Sequence, residues 1–325
     1  MDEQADATGS TDGTADGTPR RVGYLGPPGT FTEQALLSQP DLATADLVPY
    51  PTMADVLRAT ETGEVDVGFV AIENSIEGTV NVTSDTLAFD VDVLIQREVV
   101  IPIQQHLLAV PGARLEQIET VVSIPHATAQ CRRFLHEHLP TVATEAANST
   151  AEAAERVASD GDATVAAIGN QLAAEIYGLE ALATDIEDHP ENQTRFVAVA
   201  PRAIPAPTGH DKTSLVVAQR ADRPGSLLAI LQEFAARSIN LTRLESRPTK
   251  KALGDYCFLL DLEGHVADDV VADCLRALQA KHAEVKFLGS YPSASAEGPA
   301  ARTEADTAVR AADAWLAEIR GRIGG

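Results

Sequence analysis

Lysine is almost missing from this chain: only Lys212, Lys250, Lys251, Lys281 and Lys286 occur in 325 residues. Acidic residues outnumber basic ones 48 to 25, for a formal net charge of -23. Such a surplus repels nucleic acid and anionic membranes at long range, so neither is expected as a partner. A solvated carboxylate surface suits a salt-rich cytoplasm, where ions screen self-repulsion over short distances. Cysteine is also sparse. Cys131, Cys257 and Cys274 are odd in number and lack C-x-x-C spacing. They exclude a disulfide framework and read as buried thiols in a reducing compartment. The eight histidines form no H-E-x-x-H or comparable cluster, so no metal is expected. No apolar run approaches the ~18 residues that a membrane span needs. The start, Met1 to Arg20, is rich in Asp, Gly, Thr and Ala and has no apolar core segment. It reads as a disordered acidic tail, not a signal peptide, and the expected compartment is the cytoplasm.

What is present alternates. From Arg21 to Ala200, short apolar runs such as Val22–Leu25, Val48–Pro51 and Val65–Ile72 are interleaved with helical patterns at Thr32–Ser38 and Met53–Thr60. The alternation continues through Thr120–Ile124, a helix over Ala127–His138, a helix over Thr150–Ser159 and a strand at Thr164–Ile168. This is α/β architecture with a largely parallel core. Two helix starts, Thr30-x-x-Glu33 and Ser149-x-x-Glu152, carry capping-box chemistry. Their free N–H groups also suit a carboxylate ligand. The segment 202–211, with Pro205, Pro207 and Gly209, reads as a linker. Residues 212–292 then follow a βαββαβ order, the ferredoxin-like unit. In the tail 293–325, Ala308, Ala312, Trp315, Leu316, Ile319 and Ile323 recur at helical spacing, an amphipathic helix.

Four segments stand out for chemistry. They are Gly26-Pro27-Pro28-Gly29-Thr30-Phe31-Thr32-Glu33, Glu73-Asn74-Ser75-Ile76-Glu77-Gly78-Thr79, Asn192-Gln193-Thr194-Arg195-Phe196 and Glu245-Ser246-Arg247-Pro248. In this order they resemble the prephenate dehydratase family, over roughly Arg21 to Pro292. The resemblance implies a lyase that converts prephenate to phenylpyruvate, water and carbon dioxide, with no redox step and no cofactor. It also implies a bilobal, periplasmic-binding-protein-like catalytic region of two α/β subdomains at 21–201. One lobe would be 21–97 with 190–201, the other 98–189.

By the same resemblance Thr194 is the catalytic residue, offering its hydroxyl to the departing oxygen. A threonine hydroxyl is a weak acid, so positioning and transition-state hydrogen bonding suit it better than free proton donation. Substrate contacts are implied at Thr30, Thr32, Asn74, Ser75, Ser123, Gln130, Arg195 and Phe196. Neighbours in a strand point to opposite faces, so Thr194 and Phe196 share one side. Arg195 then either bridges elements or reaches round to a substrate carboxylate. The unit at 212–292, with Asp222-Arg223-Pro224-Gly225-Ser226 at its first turn, looks like an ACT domain, which binds amino acids at dimer interfaces. Phenylalanine is the implied inhibitor, held by Pro224, Gly225, Ser226, Leu227, Leu228, Asn240, Leu241, Glu245, Ser246, Arg247 and Pro248 of a homodimer or homotetramer.

Two other readings stay open at this point, arogenate as the substrate and a non-catalytic binder of amino or aromatic acids. A fused chorismate mutase would need a further helical domain of roughly 80–100 residues, which is not expected here. If the acidic surface is adapted to salt, the melting temperature rises between about 0.1 M and about 2 M KCl, as the screening length shortens. Thermal melts followed by circular dichroism check this, and an unchanged or falling midpoint counts against it.

Overall fold

The computed structural model describes residues 20–219, 224–249, 255–281, 283–294, 311 and 314–322. Residues 1–19 of the expected acidic tail lie outside the described residues, as does most of the chain after 294. Of the expected terminal helix, 314–320 are helical, with Trp315, Leu316 and Ile319 exposed.

The strands in chain order are β1 (Arg21–Leu25), β2 (Asp46–Tyr50), β3 (Val67–Asn74), β4 (Gly78–Thr79) and β5 (Leu94–Pro102). Next come β6 (His106–Ala109), β7 (Thr120–Ser123), β8 (Ala143–Ala146), β9 (Val165–Gly169), β10 (Glu180–Ala183) and β11 (Gln193–Ala200). The last four are β12 (Asp211–Gln219), β13 (Leu241–Pro248), β14 (Tyr256–Glu263) and β15 (Ala283–Pro292). The chain divides into two compact units. One runs to Phe69 and resumes over Gln104–Pro190; the other holds Val70–Ile103 and everything from Glu191.

In the first unit β1 pairs in parallel with β2 and with the start of β3. A second sheet has the order β10-β6-β9-β7-β8. Leu107 and Val121 face one apolar cluster while Leu108 and Val122 face another, so both sides of this sheet are covered. That is why these strands read as continuous apolar runs instead of alternating ones. The sheets are mixed, since β6 runs antiparallel to β9, a departure from the largely parallel core expected. The helix expected over Ala127–His138 is two helices, Pro125–Gln130 and Arg132–His138. It breaks at Cys131 because Asp188 enters there: its N–H donates to the Gln130 carbonyl and its carboxylate accepts the Arg133 N–H.

Both expected capping boxes form, with a shift. Thr30 Oγ1 accepts the Glu33 N–H, and Ser149 Oγ accepts the Glu152 N–H. The returning carboxylates reach one residue further back, Glu33 to the Gly29 N–H and Glu152 to the Asn148 N–H.

The second unit begins within β3, places β11 beside it and pairs β11 antiparallel with β5. Beyond the linker lies the expected βαββαβ unit, a four-stranded sheet ordered β13-β14-β12-β15 with helices Ser226–Ala235 and Asp269–Lys281. Its core includes Leu215, Val217, Ile230, Phe234, Leu260 and Leu278. All three cysteines are buried free thiols, and burial pushes Cys274 up to about 12.

The C-terminal sheet is joined to β5 and β11 by backbone approach and by buried charge. At Gly289 (φ +139°), a Cβ would stand 2.5 Å from the Ile95 carbonyl oxygen, so only glycine allows β15 this close. Arg195 Nη1 lies 2.6 Å from Asp261 Oδ2, and its Nη2 donates to Tyr291 Oη at 2.8 Å. Its Nε makes a close ion contact, 2.6 Å, with Glu98 Oε2, without hydrogen-bond alignment. Lys212 Nζ donates to both Glu98 oxygens, at 2.9 and 3.1 Å. Ser214 Oγ donates to Asp261 Oδ1 at 2.6 Å and lies 2.6 Å from Tyr291 Oη. Burial alone would raise the Glu98 and Asp261 carboxyls. Together the neighbouring charges and donors outweigh it, Arg195 foremost with Lys212 at Glu98 and Arg243 and Ser214 at Asp261, and hold both below the usual carboxylate range.

This cluster ties residues 70–103 and 191–200 to the C-terminal sheet. The compact units therefore do not coincide with the lobe limits expected from sequence.

Gly289→Ala is expected to lose about 3 kcal/mol through forced separation of β15 from β5. Gly161→Ala, where nothing lies within 4 Å of the new Cβ, is expected to lose only about 1 kcal/mol from its left-handed φ. Denaturant midpoints separate the two, and equal losses would refute the close-approach account. For the charge cluster the sign is set by the depressed carboxyls. Their stabilisation is full above the unfolded value of ~4 and is lost as pH falls through the lower folded values. Arg195→Met strands two buried carboxylates and is expected to cost about 3–5 kcal/mol near neutrality. That deficit shrinks on acidification, because the stranded carboxyls now take protons more readily folded than unfolded. Urea melts of both proteins across pH 4–8 check this, and a pH-independent deficit would disprove it.

Candidate active site

Asn74 ends β3 and Thr194 lies near the start of β11, so two adjacent strands deliver a carboxamide and a hydroxyl to the same point. The Asn74 amide is held in one orientation by its own backbone. Its Oδ1 accepts the N–H groups of Ile76 and Glu77, both at 2.9 Å, an Asx turn that fixes the oxygen on that side. The Nδ2 group must then face the other way. It donates to Thr194 Oγ1 at 2.8 Å and Asn192 Oδ1 at 2.9 Å, with the Gln193 carbonyl at 3.1 Å.

Thr194 Oγ1 is thus an acceptor in this pair, and its own hydrogen is left to point elsewhere. Among the described residues no protein acceptor lies against it. Donation to Oγ1 also withdraws electron density from the O–H, which makes it the stronger hydrogen-bond donor. The arrangement offers a polarised, immobilised O–H to whatever oxygen approaches.

Ser75 serves the scaffold of this corner. Its N–H donates to the Gln193 carbonyl and its Oγ accepts the Gln193 N–H, each at 2.9 Å. Phe196 shares a face with Thr194, as expected, but is only 1 % exposed and belongs to the core. Arg195 projects to the opposite face, into the cluster with Glu98, Asp261 and Tyr291; it bridges elements and does not join Thr194 and Asn74. Asn192 was not singled out from sequence. It is 1 % exposed and accepts from Asn74, and its place in the same pentapeptide was the available signal.

The other expected contacts are in the first unit. Thr30 lines a cavity of about 390 Å³ with Gly26, Tyr50, Asn148, Ser149 and Glu152. Thr32 is buried on the helix Phe31–Leu37. Ser123 is buried and donates to the Ile168 carbonyl at 2.9 Å, so its hydroxyl hydrogen is already engaged. Gln130 ends its helix, its carbonyl taken by the Asp188 N–H.

The expected effector residues divide by the alternation of β13. Glu245 and Arg247 turn inward: Glu245 Oε2 accepts the Thr79 hydroxyl at 2.6 Å, and Arg247 binds Asp85 Oδ1 at 2.6 Å and Asn81 Oδ1 at 2.5 Å. Ser246 and Pro248 are exposed on the other face, with Leu244. Asn240 is exposed and donates to Glu263 Oε1 at 3.0 Å, and Leu241 packs on the sheet's core. Gly225 adopts a left-handed conformation (φ +87°) after Pro224 and precedes the helix that starts at Ser226. On that helix Leu227 packs on the core and Leu228 is exposed. Among the described residues no helix is long and apolar enough to cross a membrane, and no His, Cys, Asp and Glu group could hold a metal ion.

A family model described as prephenate dehydratase matches residues 22–203, and one described as ACT domain matches residues 213–280. A prephenate dehydratase of Mycolicibacterium vanbaalenii is 42% identical over 314 residues, spanning 92% of this chain and 98% of its own. The crystal structure of a prephenate dehydratase in complex with L-Phe from Arthrobacter aurescens is 41% identical and superposes with a TM-score of 0.86. It covers 93% of this chain and 99% of its own. A structure described as GqqA, a novel type of quorum quenching acylases, is 29% identical with a TM-score of 0.77, over 85% of this chain and 98% of its own. On the extent of the family match and the identity of these relatives, the chain belongs to the prephenate dehydratase family.

Proposed function

We propose that this chain converts prephenate to phenylpyruvate, water and carbon dioxide, and that phenylalanine lowers this activity through the C-terminal sheet. The observation that carries the catalytic part is the fixed Asn74 amide, which leaves the Thr194 hydroxyl hydrogen free to donate. In the reaction the ring C–O bond breaks while the C–C bond to the ring carboxylate releases its electron pair into the ring. The departing oxygen gathers negative charge and, with one proton from solvent, leaves as water. A donor aimed at that oxygen stabilises the transition state more than the ground state. Thr194 supplies the donor, Asn74 polarises and orients it, and Asn192 and Ser75 hold Asn74 and β11 in register. No cofactor is required, because aromatisation drives the loss of both groups.

Thr30, with the Ser149 helix start facing the same cavity, is the candidate anchor for a substrate carboxylate. Ser123 and Gln130 stand as further candidate contacts. The catalytic region is taken as 21–201 and the regulatory region as 212–292, joined by 202–211. Assembly through the regulatory sheets, as a dimer or tetramer, fits the outward Leu244 on edge strand β13. Likeness to an acylase raises hydrolysis as a second reading. A nucleophilic threonine needs a base at its oxygen, whereas the group held there is a carboxamide that donates.

Thr194→Ala is expected to lower kcat/KM for prephenate about 10²- to 10³-fold, and Asn74→Ala by a smaller factor, with folding intact by circular dichroism. Phenylpyruvate formation at high KCl measures both. No turnover by the folded wild-type chain, or full activity in Thr194→Ala, would overturn this function.

A further inference from the structure

The Thr194 corner is bordered by Arg195, which is anchored in the C-terminal sheet, and by Glu73, which Arg195 reaches. Arg195, the next residue, is bound by Asp261 of β14 and Tyr291 of β15. Arg195 Nη1 also lies 3.4 Å from Oε2 of Glu73, the neighbour of Asn74. The catalytic hydroxyl and its orienting amide are therefore each one residue away from a side chain in the Arg195 cluster.

Asp261 in turn faces an irregularity. The pairing of β13 with β14 shifts register between Leu241 and Arg243, and Arg243 is the residue placed opposite Asp261. The inserted residue, Thr242, donates its hydroxyl to the Asp261 carbonyl at 3.3 Å. A β-bulge is the place where a strand can bend or shift without breaking its whole ladder. This one adjoins Asn240 and Leu241, two of the residues that the effector reading places at the ligand.

Resting on that regulatory reading, we propose that Arg195 is a positioning residue through which the bulge at Leu241–Arg243 reaches Thr194. The route runs from the bulge to Asp261, with Ser214 and Tyr291 bracing it, and then through the guanidinium to β11. A shift of β13 moves or loosens Asp261, the guanidinium follows its buried counter-ion, and the Thr194 hydroxyl turns away from the departing oxygen. A second connection, Glu245 to Thr79 of β4, the strand that pairs with β3 at Glu73 and Asn74, serves as the comparison.

The test separates effector binding from its consequence, since coupling is the difference between them. Full-length Tyr291→Phe and Ser214→Ala each remove one hydroxyl from the brace. Phenylalanine binding is measured by titration calorimetry and inhibition by prephenate turnover. Expected in both variants are phenylalanine affinity within about twofold of wild type and an inhibitory concentration raised about tenfold or more. Uninhibited kcat stays within about threefold and KM is unchanged, as a coupling defect predicts. Wild-type inhibition in both folded variants overturns the proposal, as does its loss only in Glu245→Gln. Loss of phenylalanine binding itself also overturns it, because the hydroxyls would then belong to the ligand site. A wild-type enzyme that turns over prephenate but ignores phenylalanine removes the regulatory reading first and this one with it.

Discussion

A guanidinium taken out of water must be surrounded by compensating charge, and Arg195 is 9 % exposed with two buried carboxylates against it. Glu98 comes from β5 and Asp261 from β14, so the two halves of the second unit share a single cation. Its charge favours the ionised form of both carboxylates. The cluster is also saturated with donors: Lys212 and the Ala294 N–H on Glu98, Ser214 on Asp261. These bonds hold both carboxylates even though Arg195 Nε lacks an aligned acceptor, and the constraint reaches β11, where Thr194 precedes Arg195.

The catalytic corner depends on a different kind of constraint, the orientation of one amide. A carboxamide presents a donor at one end and an acceptor at the other, and which end faces Thr194 decides what the hydroxyl can do. Two backbone N–H groups claim the oxygen of Asn74, and they can do so only because the chain turns immediately after β3. The turn thus sets the polarity of the pair: Thr194 Oγ1 accepts from Asn74, and its own hydrogen points away from it, as the proposed function requires.

A chain with so few cations uses several of them internally. Lys212 compensates Glu98, and Lys286 donates to the carbonyls of Leu87 and Val91, where the segment before β5 ends. Arg243 and Arg247 bind Ser84, Asn81 and Asp85 across the same junction. The excess carboxylate is left to the surface, where salt screens it, while the structural charges sit where screening by salt is weak.

The segment carrying Thr194 was legible through its resemblance to a family; the alternation of strands and helices, the capping boxes and the βαββαβ unit were legible in the residues themselves. Each rests on local rules: apolar periodicity, hydroxyl-to-carboxylate spacing at a helix start, and the alternation of a strand's faces. Alternation already separated Arg195 from Thr194 and Phe196. It could not say what Arg195 meets, because Asp261 and Tyr291 follow 66 and 96 residues later and carry no mark of their own in the sequence. The break at Cys131 was hidden for the same reason, since Asp188 makes it from a distant loop. Composition and local pattern thus decided which elements form. Tertiary packing alone decided which way the Asn74 amide points and which carboxylates hold Arg195, because both depend on partners brought close only when the sheets assemble.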